Sequence, residues 1–166
     1  NPDDVRDLIK ALLAAERPVI EAGQGLMNAE ATDDLIEFAE LTGIPVFTTL
    51  AGKSGFPENH PLSLGCGART ATGMANHCLM SADFLLGIGT SFTKSVCGGP
   101  VPYGVVLAQV TSRGEDLHKD HPAEFGAVGD AKLVLRQMIE EAKSQGVKAG
   151  GEKATENLGT MESGER

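Results

Sequence analysis

The chain has 166 residues, enough for one domain of ordinary size with a substantial buried core. Its 14 Lys and Arg residues against 23 Asp and Glu residues give a net charge of −9, which repels phosphate backbones and anionic lipid surfaces. No apolar stretch approaches the ~20 residues that span a bilayer, and no segment has the order of a signal peptide. We therefore expect a cytoplasmic protein that binds neither nucleic acid nor membranes. The three widely spaced cysteines suit neither a disulfide framework nor a metal clip.

The first half of the chain alternates helices with strands. Asn1, Pro2 and two aspartates form a helix start, and apolar residues at helical spacing continue to Leu13. Gly43 and Pro45 mark the end of a second helix. After the first helix, the pattern predicts a strand at Val19 to Ala22, a helix at about Asn28 to Thr42, a strand at Ile44 to Leu50, a long loop at Ala51 to Gly67 and a helix at about Thr72 to Ser81.

The second half contains the most apolar strand. Phe84 to Ile88 is a continuous apolar run, as expected of a central parallel strand covered on both faces. Further strands are predicted at Val105 to Val110 and at Phe125 to Val128, and Asp130 caps a last amphipathic helix. The alternation predicts an α/β fold, a doubly wound parallel sheet with helices on both faces. We place the domain at 1–145 and a flexible tail or linker at 146–166, where the pattern collapses into small polar residues.

Polar and glycine residues follow three of the predicted strands. Because the carboxyl ends of parallel strands converge, these residues are predicted to surround one cleft. The candidate cofactor-binding residues are Gly23, Gln24, Gly25, Thr49, Leu50, Gly89, Thr90 and Ser91. Open backbone amides at the glycines would receive a diphosphate, so Gly25→Asp is expected to abolish binding while leaving the fold intact. The alternative is that these glycines only allow tight turns, and that Gly87 only permits close packing by a helix.

Several features argue against a complete dinucleotide site and against catalysis. A dinucleotide fingerprint would place a third small residue where Asn28 stands, and an acidic residue where Thr48 and Thr49 stand. The four histidines do not form a ligand set by spacing. No nucleophile elbow or phosphate-binding loop occurs, so we expect no catalytic residue and no metal ligands in this chain.

Four stretches together resemble one protein family. They are RPVIEAGQG (17–25), LTGIPVFTTLAGKSGFPENHPLSLG (41–65), ANHCLMSADFLLGIGTSF (75–92) and GAVGDAKLVLRQM (126–138). In order and spacing they resemble the central domain of thiamine diphosphate-dependent enzymes related to acetolactate synthase. The resemblance covers nearly everything from Val5 to Ala142.

The resemblance implies a fold and a role. The fold is a Rossmann-like three-layer sandwich of about six parallel strands, lying between an N-terminal and a C-terminal domain of a parent chain that bind thiamine diphosphate and magnesium. It implies a non-catalytic domain of a 2-oxo-acid decarboxylase or carboligase that holds domains and subunits together, in an enzyme that is a homo-oligomer. This chain alone is expected neither to bind thiamine diphosphate nor to decarboxylate a 2-oxo acid.

The family also leaves an alternative open, a nucleotide-binding module with a functional cleft for FAD or for ADP or coenzyme A. The central domain binds FAD in acetolactate synthases and pyruvate oxidases, binds ADP in oxalyl-CoA decarboxylases, and binds nothing in several other decarboxylases. This sequence departs from the family pattern at Arg69-Thr70-Ala71, at Ser91 in place of an arginine, and at Gln109-Val110-Thr111 in place of an aspartate-bearing strand end. Since both usual anchors are missing, FAD or ADP would depend on charge from Lys94, Arg69 or Arg113.

Overall fold

The computed structural model describes residues 1–67, 71–94 and 99–148. The fold is built on one six-stranded sheet in which every neighbouring pair of strands is parallel. The strands are β1 (Pro18–Ala22), β2 (Val46–Thr48), β3 (Ser63–Cys66), β4 (Phe84–Ile88), β5 (Val106–Thr111) and β6 (Phe125–Val128). Their order is β3-β2-β1-β4-β5-β6, so the winding direction reverses between β1 and β4. In open α/β sheets this reversal is where a crevice opens at the carboxyl ends of the strands.

The described residues also form five α-helices and one 3₁₀ turn. They are α1 (Pro2–Ala14), α2 (Gln24–Asn28), α3 (Thr32–Thr42), α4 (Gly73–Ser81), the 3₁₀ turn Gly114–Asp116 and α5 (Ala131–Ser144). Side chains cap α1, α4 and α5: the Asn1 side chain accepts the Asp3 N–H, Thr72 accepts the Ala75 N–H, and Asp130 accepts two amides at the start of α5. These bonds satisfy amides that a helix start leaves without an intrahelical partner.

The sheet is covered on both faces, which makes two apolar cores. Ile20, Leu86 and Val110 belong to the larger core, together with the apolar stripes of α1, α3 and α5. The strand neighbours Val19 and Leu85 point the other way and belong to a smaller core that includes Ala75 and Leu79 of α4. Alternate strand residues thus enter opposite layers, which explains why the strand sequences are apolar without alternation. The predicted three-layer α/β fold is confirmed.

Two local predictions differ from the structure, and a third falls mostly outside the described residues. The predicted loop at 51–67 contains β3, an edge strand in which only Leu64 is buried and which therefore lacks an apolar run. The helix predicted at about 28–42 begins only at Thr32, and a separate short helix, α2, precedes it at Gln24–Asn28, because the chain turns between Asn28 and Thr32 with Glu30 at a φ of 50°. The predicted tail lies mostly outside the described residues, which end at 148. No helix among the described residues is long and apolar enough to cross a membrane.

Candidate functional site

A cleft of about 570 Å³ opens at the carboxyl edge of the sheet, beside the reversal between β1 and β4. Its walls come from the turns that follow β1, β2, β4 and β5 and from the start of α5. The lining residues are Glu21, Gln24, Gly25, Asn28, Ala29, Thr49, Ala51, Gly89, Thr90, Ser91, Phe92, Thr93, Gly99, Val110, Thr111, Ser112, Arg113, Asp116, Asp130 and Ala131. Hydroxyl groups and carboxyl groups dominate the polar part of this surface.

The cleft brings together most of the residues that the sequence pointed to. Six of the eight candidates line it: Gln24, Gly25, Thr49, Gly89, Thr90 and Ser91. Gly23 lies directly behind the wall, where its N–H donates to the Ile88 carbonyl oxygen at 2.9 Å. Leu50 is not among the lining residues and is 43% exposed. The structure thus places six of the eight residues at one cleft, and their binding of a cofactor stays a prediction.

The glycines at the cleft allow two backbone turns to pack closely against each other. A Cβ added to Gly23 would lie 2.3 Å from the Gly89 carbonyl oxygen, and one added to Gly25 would lie 2.8 Å from the Gly89 Cα. Gly89 itself has a φ of 66°, a conformation that favours glycine. Hence the expectation that Gly25→Asp leaves the fold intact is wrong, because the new side chain would meet backbone atoms that cannot move aside.

The amides of these glycines are already engaged within the protein. The Gly25 N–H donates to the Gly89 carbonyl oxygen at 2.9 Å, and the Gly89 N–H donates to the Val110 carbonyl oxygen at 2.9 Å. With the Gly23 bond to Ile88, all three glycine amides have backbone partners. The expectation that these amides are open to a diphosphate is therefore wrong. Their hydrogen bonds tie β1, β4 and β5 together at the floor of the cleft.

The absence of a side chain at Gly87 lets a loop, and not a helix, pack closely against β4. A Cβ at this position would lie 2.3 Å from the Phe92 ring and 2.6 Å from the Thr90 methyl group. Phe92 follows β4, has a φ of 49° and is buried in the smaller core. The glycine inside β4 thus allows the chain to fold back on the strand and bring Thr90 and Ser91 to the cleft.

Glu21 is the most unusual group in the cleft. It lies in β1 between two buried apolar neighbours, and only 2% of its surface is exposed. The Thr90 hydroxyl donates to Glu21 Oε1 at 2.8 Å, and a Cβ added to Gly99 would lie 3.5 Å from Oε2. Burial raises the pKa of this carboxyl from 4.5 to about 7, against a smaller lowering by the Thr90 bond. Sequence reasoning missed Glu21, although a lone acid inside the apolar run Val19 to Ala22 was a usable signal.

Gln109 holds two of the loops that line the cleft. Its buried amide donates to the Thr90 carbonyl oxygen and to the Asp116 carbonyl oxygen, both at 3.1 Å. At this position the family resemblance implies an aspartate, which would accept hydrogen bonds. A side-chain amide that donates to two loop carbonyls instead positions the loops after β4 and β5.

The charges at the cleft fit a diphosphate poorly. Of the three cations proposed to replace the missing arginine, Arg113 lines the cleft, Lys94 does not, and Arg69 lies outside the described residues. The Arg113 Nε lies 3.6 Å from Glu115 Oε1, so its charge is partly neutralised. Three carboxyl side chains share the described lining with this one guanidinium group: Glu21, Asp116 and Asp130. A flavin or adenine diphosphate would meet net negative charge there.

Two motifs that carried the resemblance have structural roles. His60 accepts the Leu62 N–H on Nδ1 at 3.1 Å, and its Nε2 lies 3.1 Å from Glu40 Oε1. The ring packs edge-on against Phe56, so this histidine fastens the loop before β3 onto α3. Asp83 accepts the amides of Glu16 and Arg17, both at 2.8 Å, and so fixes the entry to β1 beside the entry to β4.

The described part of the chain contains no candidate metal centre. No group of three or more His, Cys, Asp or Glu side chains there is placed to hold an ion. His118 accepts the Ala123 N–H on Nδ1 at 3.1 Å. That bond closes the polar turn before β6.

Comparison with known proteins decides the family. Residues 5–138 match the family described as "Thiamine pyrophosphate enzyme, central domain". The chain belongs to this family. The match covers every strand of the sheet and most of the helices, so the resemblance seen in the sequence is confirmed.

The relatives of this central domain are much longer proteins. A probable acetolactate synthase large subunit of Methanococcus aeolicus is 36% identical over 150 residues, which is 85% of this chain and 24% of the relative. A glyoxylate carboligase of Escherichia coli O157:H7 is 35% identical over 142 residues, 84% of this chain and 24% of the relative. The chain thus spans about a quarter of the length of these relatives.

A solved structure shares the fold. Benzoylformate decarboxylase from Polynucleobacter necessarius superposes with a TM-score of 0.73 at 24% sequence identity, over 91% of this chain and 28% of the other. The structural likeness again falls on one part of a longer chain. None of these comparisons favours the alternative of a separate nucleotide-binding module.

Proposed function

We propose that this central domain works within a thiamine diphosphate-dependent 2-oxo-acid decarboxylase or carboligase, where it holds the neighbouring domains and subunits in position. The main support for the proposal is that nearly the whole of this chain matches a small part of a longer relative: 85% of this chain corresponds to 24% of a probable acetolactate synthase large subunit. The partners are then an N-terminal and a C-terminal domain of the same parent chain, which bind thiamine diphosphate and magnesium. The parent enzyme is a cytoplasmic homo-oligomer.

A scaffolding role suits the way this domain is built. The groups that hold its loops at the carboxyl edge, such as Gln109 and Asp83, are used in bonds within the domain. The buried carboxyl group at the cleft, Glu21, lies in a strand of the central sheet and not on a mobile loop. Such an arrangement favours a rigid body that positions other domains.

A calorimetric comparison tests this proposal. The 166-residue chain, titrated with thiamine diphosphate and magnesium, is expected to give no saturable heat. The same chain, extended by the sequence encoded on either side of it in its gene, is expected to bind the cofactor and to consume a 2-oxo acid such as pyruvate or glyoxylate. Micromolar binding by the 166-residue chain, or an extended chain that neither binds nor reacts, would contradict the proposal.

A further inference from the structure

We propose that the cleft selects a small organic cation that carries an amino or guanidino group and binds it through the Glu21 carboxylate, and that it rejects diphosphate-bearing nucleotides because the amides of its glycine turns are engaged. The inference concerns the cleft alone and does not depend on the activity proposed for the parent enzyme. It rests on three properties of the cleft: the placement of Glu21, the engagement of the turn amides, and the balance of charge.

The placement of Glu21 puts a carboxyl group where a diphosphate would have to lie. Thr90 donates to Glu21 and directly follows Gly89, whose backbone packs against Gly23 and Gly25. A diphosphate approaching this glycine turn would therefore lie close to the carboxyl group. Because the group is buried, its repulsion of an anion is weakly screened.

The donors that normally hold a diphosphate are engaged elsewhere. The amides of Gly23, Gly25 and Gly89 donate to backbone carbonyl oxygens. The Arg113 guanidinium group lies beside Glu115, and both side chains are more than two-thirds exposed. The three glycine amides therefore cannot replace the water molecules that a diphosphate would lose on entering the cleft.

The same surface offers acceptors to a cation. The Thr90 bond holds the Glu21 carboxyl in one orientation, which lowers the entropy cost of recognising a ligand. Thr49, Ser91 and Thr93 add hydroxyl oxygens along the walls of the cleft. A cleft of about 570 Å³ has room for a small molecule that carries an amino or guanidino group.

Few other charged groups among the described residues act on Glu21. Its partners in the flanking strands are Phe47 in β2 and Gly87 in β4, neither of which titrates. The remaining charged groups of the described lining are Asp116, Asp130 and Arg113. Asp116 lies 3.6 Å from Lys119, and Asp130 accepts two amides at the start of α5. Glu21 is thus the group whose ionisation changes the charge of the cleft near neutral pH.

This ionisation predicts how binding depends on pH. With a pKa of about 7, the Glu21 carboxyl is ionised in about one molecule in ten at pH 6 and in about nine in ten at pH 8. A cation that binds the carboxylate form should therefore bind about tenfold more tightly at pH 8. Agmatine is a suitable probe, because its amino and guanidino groups keep their charges over this range.

The experiment is isothermal titration of the 166-residue chain with agmatine and, separately, with ADP, at pH 6 and pH 8. We expect agmatine to bind about tenfold more tightly at the higher pH and ADP to give no saturable heat at either. In Glu21→Gln the agmatine affinity should fall and lose its pH dependence. The control Glu16→Gln, at a side chain that is 83% exposed, should behave like the unmodified chain.

Several outcomes would overturn the inference. They are the absence of saturable agmatine binding at both pH values, ADP binding that is as tight as agmatine binding, and an unchanged pH dependence in Glu21→Gln. If circular dichroism shows that Glu21→Gln does not fold, Thr90→Val provides the second test. It removes a bond that lowers the pKa of Glu21, so the rise in agmatine affinity should move to higher pH, and an unmoved profile would count against Glu21.

Discussion

Replacing Glu21 by Gln should make the domain more stable at neutral and alkaline pH. The side chain is buried, and its pKa is about 7 in the folded protein against an ordinary value of 4.5. Glutamine keeps the shape and an oxygen that can accept the Thr90 hydroxyl, but it carries no charge to desolvate. Below pH 4.5 the carboxyl group is protonated in both the folded and the unfolded chain, so its burial does not lower the free energy of unfolding in that range.

The magnitude follows from the gap between the two pKa values. Between pH 4.5 and about pH 7 the folded chain binds more protons at this group than the unfolded chain does. The free energy of unfolding therefore falls as pH rises, by about 1.4 kcal/mol per pH unit, and the fall levels off above the folded pKa. The full effect of the buried carboxylate is a loss of about 3 kcal/mol at pH 8.

Urea unfolding followed by far-ultraviolet circular dichroism measures this effect. The unmodified chain, Glu21→Gln and the exposed control Glu16→Gln are compared at pH 5 and pH 8. The free energy of unfolding of Glu21→Gln should exceed that of the unmodified chain only slightly at pH 5, and this difference should be about 2 to 3 kcal/mol larger at pH 8. Glu16→Gln should have the same free energy of unfolding as the unmodified chain at both pH values. A difference between Glu21→Gln and the unmodified chain that does not change with pH would refute the reasoning.

Two further substitutions test the packing at the carboxyl edge and the entry to the sheet, again by urea unfolding. Gly25→Ala should lower the free energy of unfolding by at least about 2 kcal/mol, because its Cβ would lie 2.8 Å from the Gly89 Cα. In Gly73→Ala the new Cβ would have nothing within 4 Å, so this variant should be as stable as the unmodified chain or more stable. Equal urea midpoints for the two variants would contradict the packing argument. Asp83→Ala should lower the free energy of unfolding by about 2 kcal/mol, because it leaves the Glu16 and Arg17 amides without their carboxylate acceptor, and Asp83→Asn should lower it less. An unchanged urea midpoint in Asp83→Ala would show that water replaces both bonds.

The main strands and the family were predictable from the sequence because their signals are local. Phe84 to Ile88 is buried at every position, and such a strand is apolar throughout whatever surrounds it. The helix starts at Asn1 and Asp130 were likewise predictable, since a capping side chain bonds amides only two or three residues away. The strand β3 was missed because an edge strand with one buried side chain has no such pattern.

The cleft could be located from the sequence, but its chemistry depended on the tertiary structure. Parallel strands bring their carboxyl ends to one edge, so Gly25, Thr49 and Thr90 were predictable neighbours. Whether a glycine amide is open or engaged depends on the backbone that packs against it, and Gly89 supplies that partner from 64 residues along the chain. The pKa of Glu21 depends in the same way on burial by strands distant in sequence, because desolvation is a property of the assembled core. The sequence alone therefore determined the fold, the family and the position of the cleft, while the charge that the cleft presents to a ligand was decided only when the sheet was assembled.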